Sequence, residues 1–218
     1  MPPKSDIITV EKSTVALLPY SRLHCAYEMP PQEDKMSIFD RIINSGAAPS
    51  EPDPKSKTFS FSSLPESLGE MQSLKEAALE SPFDTAALTL LALCAYSADK
   101  NVGAEMLNFL RGPRPLSNYD LSFLNDRFRD GNTHVPFSYF KGATPQNNYA
   151  PSRPFTFTVE TNPYSDANQG YKKLFIRSGG ADNPREVVLR RRGDGKWFLW
   201  DQFLLVGIRE PASRDPWG

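Results

Sequence analysis

The sequence has few of the residues that usually build metal and redox sites. Its 218 residues include only two cysteines, Cys25 and Cys94, and two histidines, His24 and His134. No Cys-x-x-Cys pair occurs, which argues against a zinc site of the usual cysteine and histidine kind. We therefore predict no bound metal and no cofactor. Cys94 lies in an apolar helical stretch, as is typical of a buried small hydrophobic residue.

The chain also lacks an excess of charge of either sign. Lys and Arg number 25 and Asp and Glu 26, giving a formal net charge of −1. Dedicated nucleic-acid-binding domains usually have a clear basic excess, so this balance argues against that class. The charges are nevertheless unevenly placed. From Glu28 to Asp84 there are 11 acidic and 5 basic residues, whereas from Tyr171 to Trp200 there are 8 basic and 3 acidic. Such asymmetry can orient a partner.

Long apolar runs are missing as well. No run reaches the roughly 18 residues that a membrane-spanning helix needs. The first residues, MPPKSDIITVEKS, do not have the charged-then-apolar layout of a signal peptide. We therefore expect a cytoplasmic protein with no membrane partner. Hydrophobic residues make up 39% of the chain and aromatic residues 11%, a composition typical of a globular domain.

Residues 1–57 have the pattern of a variable leader that ends in a linker. The segment SIFDRIIN at 37–44 predicts one short helix, and GAAPSEPDPKSK at 46–57 is rich in the proline and serine typical of linkers. The leader could be a partly ordered arm, or it could carry a helix that docks on a partner.

Helix start and stop signals recur between residues 58 and 131. Ser73 and Glu76 have the spacing of a capping box. Ser81 followed by Pro82 predicts the start of a helix that runs to about Ser97. This helix is apolar on nearly all sides, which is typical of a helix buried at the centre of a domain.

Two further helices are predicted after it. One begins at Asn101 and is followed by Gly112, and the next begins at Ser117 and is followed by Gly131. Glycine just past the end of a helix is the expected stop signal. Helices joined by such short connections form an antiparallel cluster.

After Gly131 the spacing of apolar residues changes from helical to alternating. Phe155, Phe157 and Val159 alternate with polar residues, which predicts a half-buried strand. Further strands are predicted at 172–177, 186–191 and 196–201, and an edge strand at 134–140. Arg192-Gly193-Asp194-Gly195 predicts a tight hairpin between the last two strands.

These elements predict an α+β fold. We expect residues 58–218 to form one domain, in which a helical layer at 58–131 packs on an antiparallel sheet at 134–208. Strands that follow one another closely in sequence favour a meander, and a cystatin-like sheet is one compatible topology.

Several segments together resemble an uncharacterised bacterial family, known only as a domain of unknown function. They include TFSFSSLPESLGEM, SPFDTAALTLLALCAY, SYFKGATPQNNYAPSRPFTFTV and IRSGGADNPREVVLR. The resemblance covers about residues 57–218. It implies that this part of the chain is one evolutionary unit, and it assigns no activity and no residue roles.

The first candidate binding segment is the loop KGATPQNNYAPSRP at 141–154. Loops of this length within a compact domain are usually functional or disordered. Asn147, Asn148 and Tyr149 could bind a polar ligand there. The alternative is a structural turn in which these side chains bond the backbone of the loop itself.

The second candidate segment is SGGADNPR at 178–185. Its two consecutive glycines could expose N–H groups to an anion, with Ser178, Asp182 and Arg185 beside them. The alternative is a plain turn, because no phosphate-binding glycine motif and no following helix are present.

A third candidate is the pair of basic strands that carries Arg190, Arg191 and Arg192, then Lys196, Trp197 and Trp200. Arginine beside an exposed indole is how single-stranded nucleic acids are gripped. Because side chains alternate along a strand, at least one of the two tryptophans should lie in the core.

We expect a non-catalytic binding module that recognises a protein or a small polar ligand through the loops 141–154 and 178–185. One alternative is an enzyme of unassigned class, with a polar pocket between sheet and helices that holds His134 or Asp182. The other is a nucleic-acid-binding protein that uses the basic strands.

Overall fold

The computed structural model describes residues 55–215, so the helix predicted at 37–44, Cys25 and His24 lie outside the described residues. The strands are β1 (Ser56–Phe61), β2 (Phe155–Glu160), β3 (Tyr171–Ile176), β4 (Arg185–Arg191) and β5 (Trp197–Gln202). The α-helices are α1 (Leu68–Ser73), α2 (Pro82–Ala98), α3 (Lys100–Arg111) and α4 (Asn118–Arg127). Short 3-10 helices span Lys75–Ala78, Arg129–His134, Pro136–Tyr139, Pro145–Asn147 and Ala212–Arg214.

The five strands form one antiparallel sheet in the order β1-β2-β3-β4-β5, so each strand pairs with the next one in the chain. The predicted α+β class and the meander are confirmed. The helices lie between β1 and β2 in sequence, an order compatible with a cystatin-like topology, which stays a prediction. Phe155, Phe157 and Val159 are buried on one face of β2, as the alternation predicts.

Helix α2 is the centre of the core. Every residue from Ala86 to Leu93 is fully buried. The helix begins after Ser81 with Pro82 in its first turn, as predicted, and it ends one residue beyond the predicted Ser97. It contacts α3 and strands β2 to β5, so its apolar sides have apolar partners all around.

Helices α2 and α3 are joined by a single residue, Asp99. Its carboxylate accepts hydrogen bonds from the backbone N–H groups of Asn101 and Val102 at 2.8 and 3.2 Å, which caps α3. The two helices touch at Gly103, where a Cβ atom would overlap the backbone of Tyr96. The close approach of the two helices therefore requires glycine at this position.

Helix α4 begins with the predicted capping box. The Ser117 hydroxyl accepts from the Asp120 N–H, and the Asp120 carboxylate accepts from the Ser117 N–H at 2.8 Å. The helix ends at Arg127, earlier than the predicted stop at Gly131. Asp130 and Gly131 both have positive φ, which breaks the helical path.

Three predictions about local structure are wrong. The helical half was predicted to start at residue 58, but Ser56–Phe61 forms β1, in which Phe59 and Phe61 face the core. Strand pairing explains the error, because the Phe59 ring stacks on Phe157 of β2 at 5.7 Å. The pairing cannot be predicted from local sequence, because β1 and β2 are far apart in the chain.

The capping box predicted at Ser73 is the second error. Ser67 caps α1 instead, with its hydroxyl accepting from the Glu70 N–H at 3.2 Å, and Ser73 is the last residue of that helix. The edge strand predicted at 134–140 is the third. Pro136 there opens a 3-10 helix whose Tyr139 hydroxyl donates to the Leu204 carbonyl at 2.6 Å.

Among residues 55–215, no helix combines the length and the apolar character needed to cross a bilayer.

The contact at Gly103 generates a test of helix packing. Gly103→Ala should lower the free energy of unfolding by about 1–3 kcal/mol, because the added methyl group overpacks against Tyr96. Gly69→Ala in α1 is the matched control, since nothing lies within 4 Å of the Cβ position there. The control should be neutral or stabilising by up to about 1 kcal/mol. Urea unfolding measures both, and an equal effect of the two changes would contradict the close approach of α2 and α3.

Candidate functional site

The loop 141–154 is folded around the side chain of Asn147. Its amide oxygen accepts from the Thr144 N–H at 2.9 Å, and its amide nitrogen donates to the carbonyls of Gly142 and Ala150 at 2.7 and 3.1 Å. All three of these side-chain hydrogen bonds are made with backbone atoms of the loop itself. This is the structural alternative that the sequence left open for Asn147.

The next two residues of this loop hold the C-terminal segment, residues 203–215. Both Asn148 and Tyr149 have positive φ. The Asn148 amide oxygen accepts from the Ser213 hydroxyl at 2.6 Å. Tyr149 is 1% exposed, and its hydroxyl donates to the Arg209 carbonyl at 2.8 Å. Tyr149 is therefore a core residue rather than a surface contact.

The loop 178–185 holds the same C-terminal segment. Asp182 forms an ion pair with Arg209. Arg185 donates to the carbonyls of Val206 and Gly207, both at 2.7 Å. Ser178 is buried, and its hydroxyl lies 2.7 Å from that of Ser138.

The two predicted loops lie against each other. The two glycines of the second loop allow this close contact because they have no side chains. A Cβ atom at Gly179 would overlap the Ala143 carbonyl, and one at Gly180 would overlap the Tyr149 hydroxyl. The Gly179 N–H donates to the Ser138 carbonyl at 2.8 Å and the Gly180 N–H donates to the Ser178 hydroxyl at 3.0 Å, so both N–H groups already have partners within the domain. None of the six predicted site residues lines a cleft described below, and their binding of a ligand stays a prediction.

His134, the candidate for the enzyme alternative, lies beside the same loops. Its ring stacks on Tyr149 with 5.3 Å between centroids. Its Nε2 atom is buried without a hydrogen-bond partner among the described residues. Burial lowers the pKa of His134, which favours the neutral ring.

A basic cleft of about 520 Å³ lies where the end of α3 and the loop after it meet strands β4 and β5. It is lined by Arg111, Pro113, Arg114, Arg190, Arg191, Arg192, Gly193, Phe198, Leu199 and Trp200. We call this the arginine cleft. Its five arginines come from the end of α3, the loop after it, and the end of β4 with its hairpin.

Two arginines of the arginine cleft contact the ring of Trp200. The Arg114 and Arg190 guanidinium groups lie 4.4 and 4.8 Å from the centroid of its ring. Tyr171 of β3 meets the ring edge-on at 5.5 Å. Cation–π contacts of this kind hold a guanidinium group in place while leaving its N–H donors free for another partner. The cleft thus has two cations positioned over one ring.

A bulge in β5 places Trp200 there. Val188 pairs with Asp201 and Leu189 pairs with Leu199, so Trp200 is the extra residue without a partner on β4. Trp197, by contrast, packs against the hydrophobic core. Both tryptophans are half-buried, Trp197 against the core and Trp200 at the arginine cleft.

The charges of the arginine cleft are incompletely balanced. Within residues 55–215, no carboxylate lies within the 4.0 Å ion-pair distance of Arg114, Arg190 or Arg191. Arg111 contacts Asp120 at 3.4 Å, and Arg192 pairs with Asp194. The sequence indicated the β4 arginines, but it missed Arg111 and Arg114 because only the packing of α3 on β5 brings them to the strands.

Burial and ion pairing shift the pKa values of Arg111 and Asp120 in opposite directions. Burial lowers the pKa of Arg111, with a smaller contribution in the same direction from Arg114. Burial raises the pKa of Asp120, but hydrogen bonds from Ser117 and the charge of Arg111 outweigh it, so that its pKa is lowered overall. Arg111 is only 7% exposed, so it lies at the floor of the cleft.

A second cleft, of about 280 Å³, adjoins the first and shares Arg111 and Leu199 with it. We call this the apolar cleft. Tyr119, Phe203 and Val206 line it, and they are 80%, 44% and 41% exposed. They are three of the four large hydrophobic side chains exposed among the described residues. Asp120 and Asp201 are the carboxylates among its described lining residues.

The described part of the chain contains no group of three or more His, Cys, Asp or Glu side chains that could hold a metal ion.

The role of Arg185 can be tested by its effect on stability. Arg185→Ala removes the donors that hold the carbonyls of Val206 and Gly207, so we expect the free energy of unfolding to fall by about 1–3 kcal/mol. The control is Arg177→Ala, because Arg177 is 69% exposed and makes one ion pair, with Glu160. It should change stability by no more than about 0.5 kcal/mol. Thermal and urea unfolding compare them, and equal effects would show that Arg185 does not anchor the segment.

The comparisons with known proteins give a family and no further relative. No curated protein matches the chain, and no solved structure matches it. A family model described as a domain of unknown function, DUF6935, matches residues 63–212, which include α1 to α4, β2 to β5 and both clefts. The chain therefore belongs to the DUF6935 family of domains of unknown function.

Proposed function

We propose that this domain is a non-catalytic binding module whose ligand presents phosphate or carboxylate groups to the arginine cleft. The observation that carries the proposal is the convergence of Arg114 and Arg190 over Trp200, with no carboxylate of residues 55–215 in ion-pair contact with either. Binding was predicted through the loops 141–154 and 178–185. The contacts of those loops favour a supporting role for them, and the arginines gathered at the cleft favour a binding site there.

The geometry of the cleft suits anions for two physical reasons. A guanidinium group offers a planar fork of donors that matches a carboxylate or a phosphate in bidentate fashion. Arg114 and Arg190 are already stacked on the Trp200 ring, so less side-chain freedom is lost when a ligand is bound. Both groups lie within 5 Å of one ring centroid. They are therefore closer together than a Debye length, ~10 Å at 0.1 M salt, so their positive charges reinforce each other at the cleft.

The cleft also has the size of a ligand site. Its volume of about 520 Å³ falls within the range of roughly 300–1,000 Å³ that is common for such sites. Its lining combines arginines with Phe198, Leu199 and Trp200, so that polar recognition takes place against an apolar wall.

Nucleic acid is the second candidate ligand, and one observation favours it. Trp200 lies among arginines and is half-buried, an arrangement used to grip single strands. Two guanidinium groups already cover its ring, however, which leaves little room for a base to stack. The net charge of −1 for the whole chain also disfavours a long nucleic-acid strand, whose phosphates extend beyond one local basic cleft. A cytoplasmic location stays a prediction of the sequence.

Titration with inorganic tripolyphosphate tests the proposal. Calorimetry at low salt should detect binding, and Arg114→Glu should weaken it by about ten- to a hundredfold, the effect of losing a charge-assisted contact. Raising the salt to about 0.5 M should weaken binding as well, because screening reduces exposed electrostatic attraction.

The matched control is Arg153→Glu, which makes the same charge change at an exposed arginine that also stacks on an aromatic ring, Phe155 at 4.7 Å. It should leave the affinity for tripolyphosphate within about twofold of the unsubstituted chain, since Arg153 lies outside the cleft. Equal weakening by both variants, or no binding at all, would refute the arginine cleft as an anion site.

A further inference from the structure

The apolar cleft and the arginine cleft adjoin each other, and their combined lining indicates the chemical class of the anionic ligand. They share Arg111 and Leu199, so a ligand that fills one extends directly into the other. On this basis, and resting on the proposed function, we infer that the ligand is an acidic peptide segment of a partner protein that also carries an aromatic or aliphatic side chain.

The distribution of charge is the first argument for this ligand. Five arginines line one cleft, whereas Asp120 and Asp201 are the charged groups other than Arg111 in the next. A nucleic acid carries a phosphate at every nucleotide, and a strand that crossed both clefts would bring phosphates towards these two carboxylates. A peptide can place its acidic side chains at the arginines and keep uncharged side chains beside Asp120 and Asp201.

The exposed apolar side chains are the second argument. Tyr119 is 80% exposed at the start of α4, and Phe203 and Val206 face the same cleft from the C-terminal segment. Apolar side chains gathered at one surface mark a protein contact more often than an isolated exposed residue does. Aromatic anchors of this kind contribute strongly at protein interfaces.

The way the C-terminal segment is held is the third argument. Arg185 donates to the Val206 and Gly207 carbonyls, and the Phe203 N–H donates to the Glu186 carbonyl at 2.9 Å. These contacts fix the backbone that carries Phe203 and Val206 before any ligand arrives. A fixed surface costs less conformational entropy on binding than a mobile one.

Two fluorescently labelled hexapeptides test the inference by anisotropy. One is hexaglutamate, and the other replaces two adjacent central glutamates with tyrosine and leucine. The mixed peptide should bind about tenfold more tightly than hexaglutamate despite its lower charge, since burying a side chain of this size contributes on that scale. Arg114→Glu should weaken the binding of both peptides.

Tyr119→Ser should reduce the preference for the mixed peptide to about threefold or less while leaving the hexaglutamate affinity unchanged, because only the apolar contact is lost. The matched control is Tyr164→Ser, at a tyrosine that is 73% exposed and lies outside both clefts, and it should keep the full preference. The double variant Tyr119→Ser with Phe203→Ser repeats the test on two side chains of the apolar cleft. The melting temperature of each variant shows whether it is folded.

Each other outcome has a defined meaning. Tripolyphosphate binding without any preference between the two peptides would overturn the inference and leave the proposed anion site standing. Tighter arginine-dependent binding of a 20-nucleotide oligothymidine than of the mixed peptide would overturn it in favour of nucleic acid. Failure of tripolyphosphate and of both peptides to bind would overturn the proposed function and this inference together.

Discussion

Helix α2 has no face that is left to water, and the architecture of the domain follows from that constraint. Every residue from Ala86 to Leu93 is fully buried, so apolar partners must surround the helix. The inner face of the sheet covers one side, and α3 covers another through the close contact at Gly103. Burial of a helix on all sides removes a large apolar area from water and so stabilises the domain.

The same helix also fixes β5, the edge strand that carries the candidate site. The Thr85 hydroxyl of α2 donates to the Trp197 carbonyl at 2.9 Å, and the Trp197 N–H donates to the Leu79 carbonyl at 2.8 Å. These bonds satisfy backbone groups that an edge strand otherwise leaves unpaired. They hold the start of β5 against the core, and further along the strand the Trp200 ring at the bulge contacts Arg114 and Arg190.

The position of the C-terminal segment depends on the two loops 141–154 and 178–185. Tyr149, Asp182 and Arg185 hold residues that follow β5, and this arrangement presents Phe203 and Val206 at the apolar cleft. The loops that the sequence indicated as binding segments thus shape a neighbouring surface. The six side chains predicted to bind a ligand there make contacts within the domain, whereas Arg114 and Arg190, which pair with no carboxylate of the described residues, lie at the arginine cleft.

The sequence predicts what depends on neighbours along the chain and fails where distant segments meet. The start of α2 at Pro82 and the capping box at Ser117 need only residues a few positions apart, and both are confirmed. Strand β1 pairs with β2 across about a hundred residues, so a helical assignment of residue 58 onward could not be corrected from local pattern. Arg114 is a similar case, because its place over Trp200 arises from the packing of α3 against β5.

Nitrogen-detected NMR of side chains tests the location of the binding site most directly. During titration with tripolyphosphate, we predict shifts of the Trp200 indole N–H and of the Arg114 and Arg190 Nε–H signals. The Trp197 indole and the side-chain amides of Asn147 and Asn148 should stay in place. Shifts confined to those asparagine amides would contradict the arginine cleft and return the site to the loop 141–154.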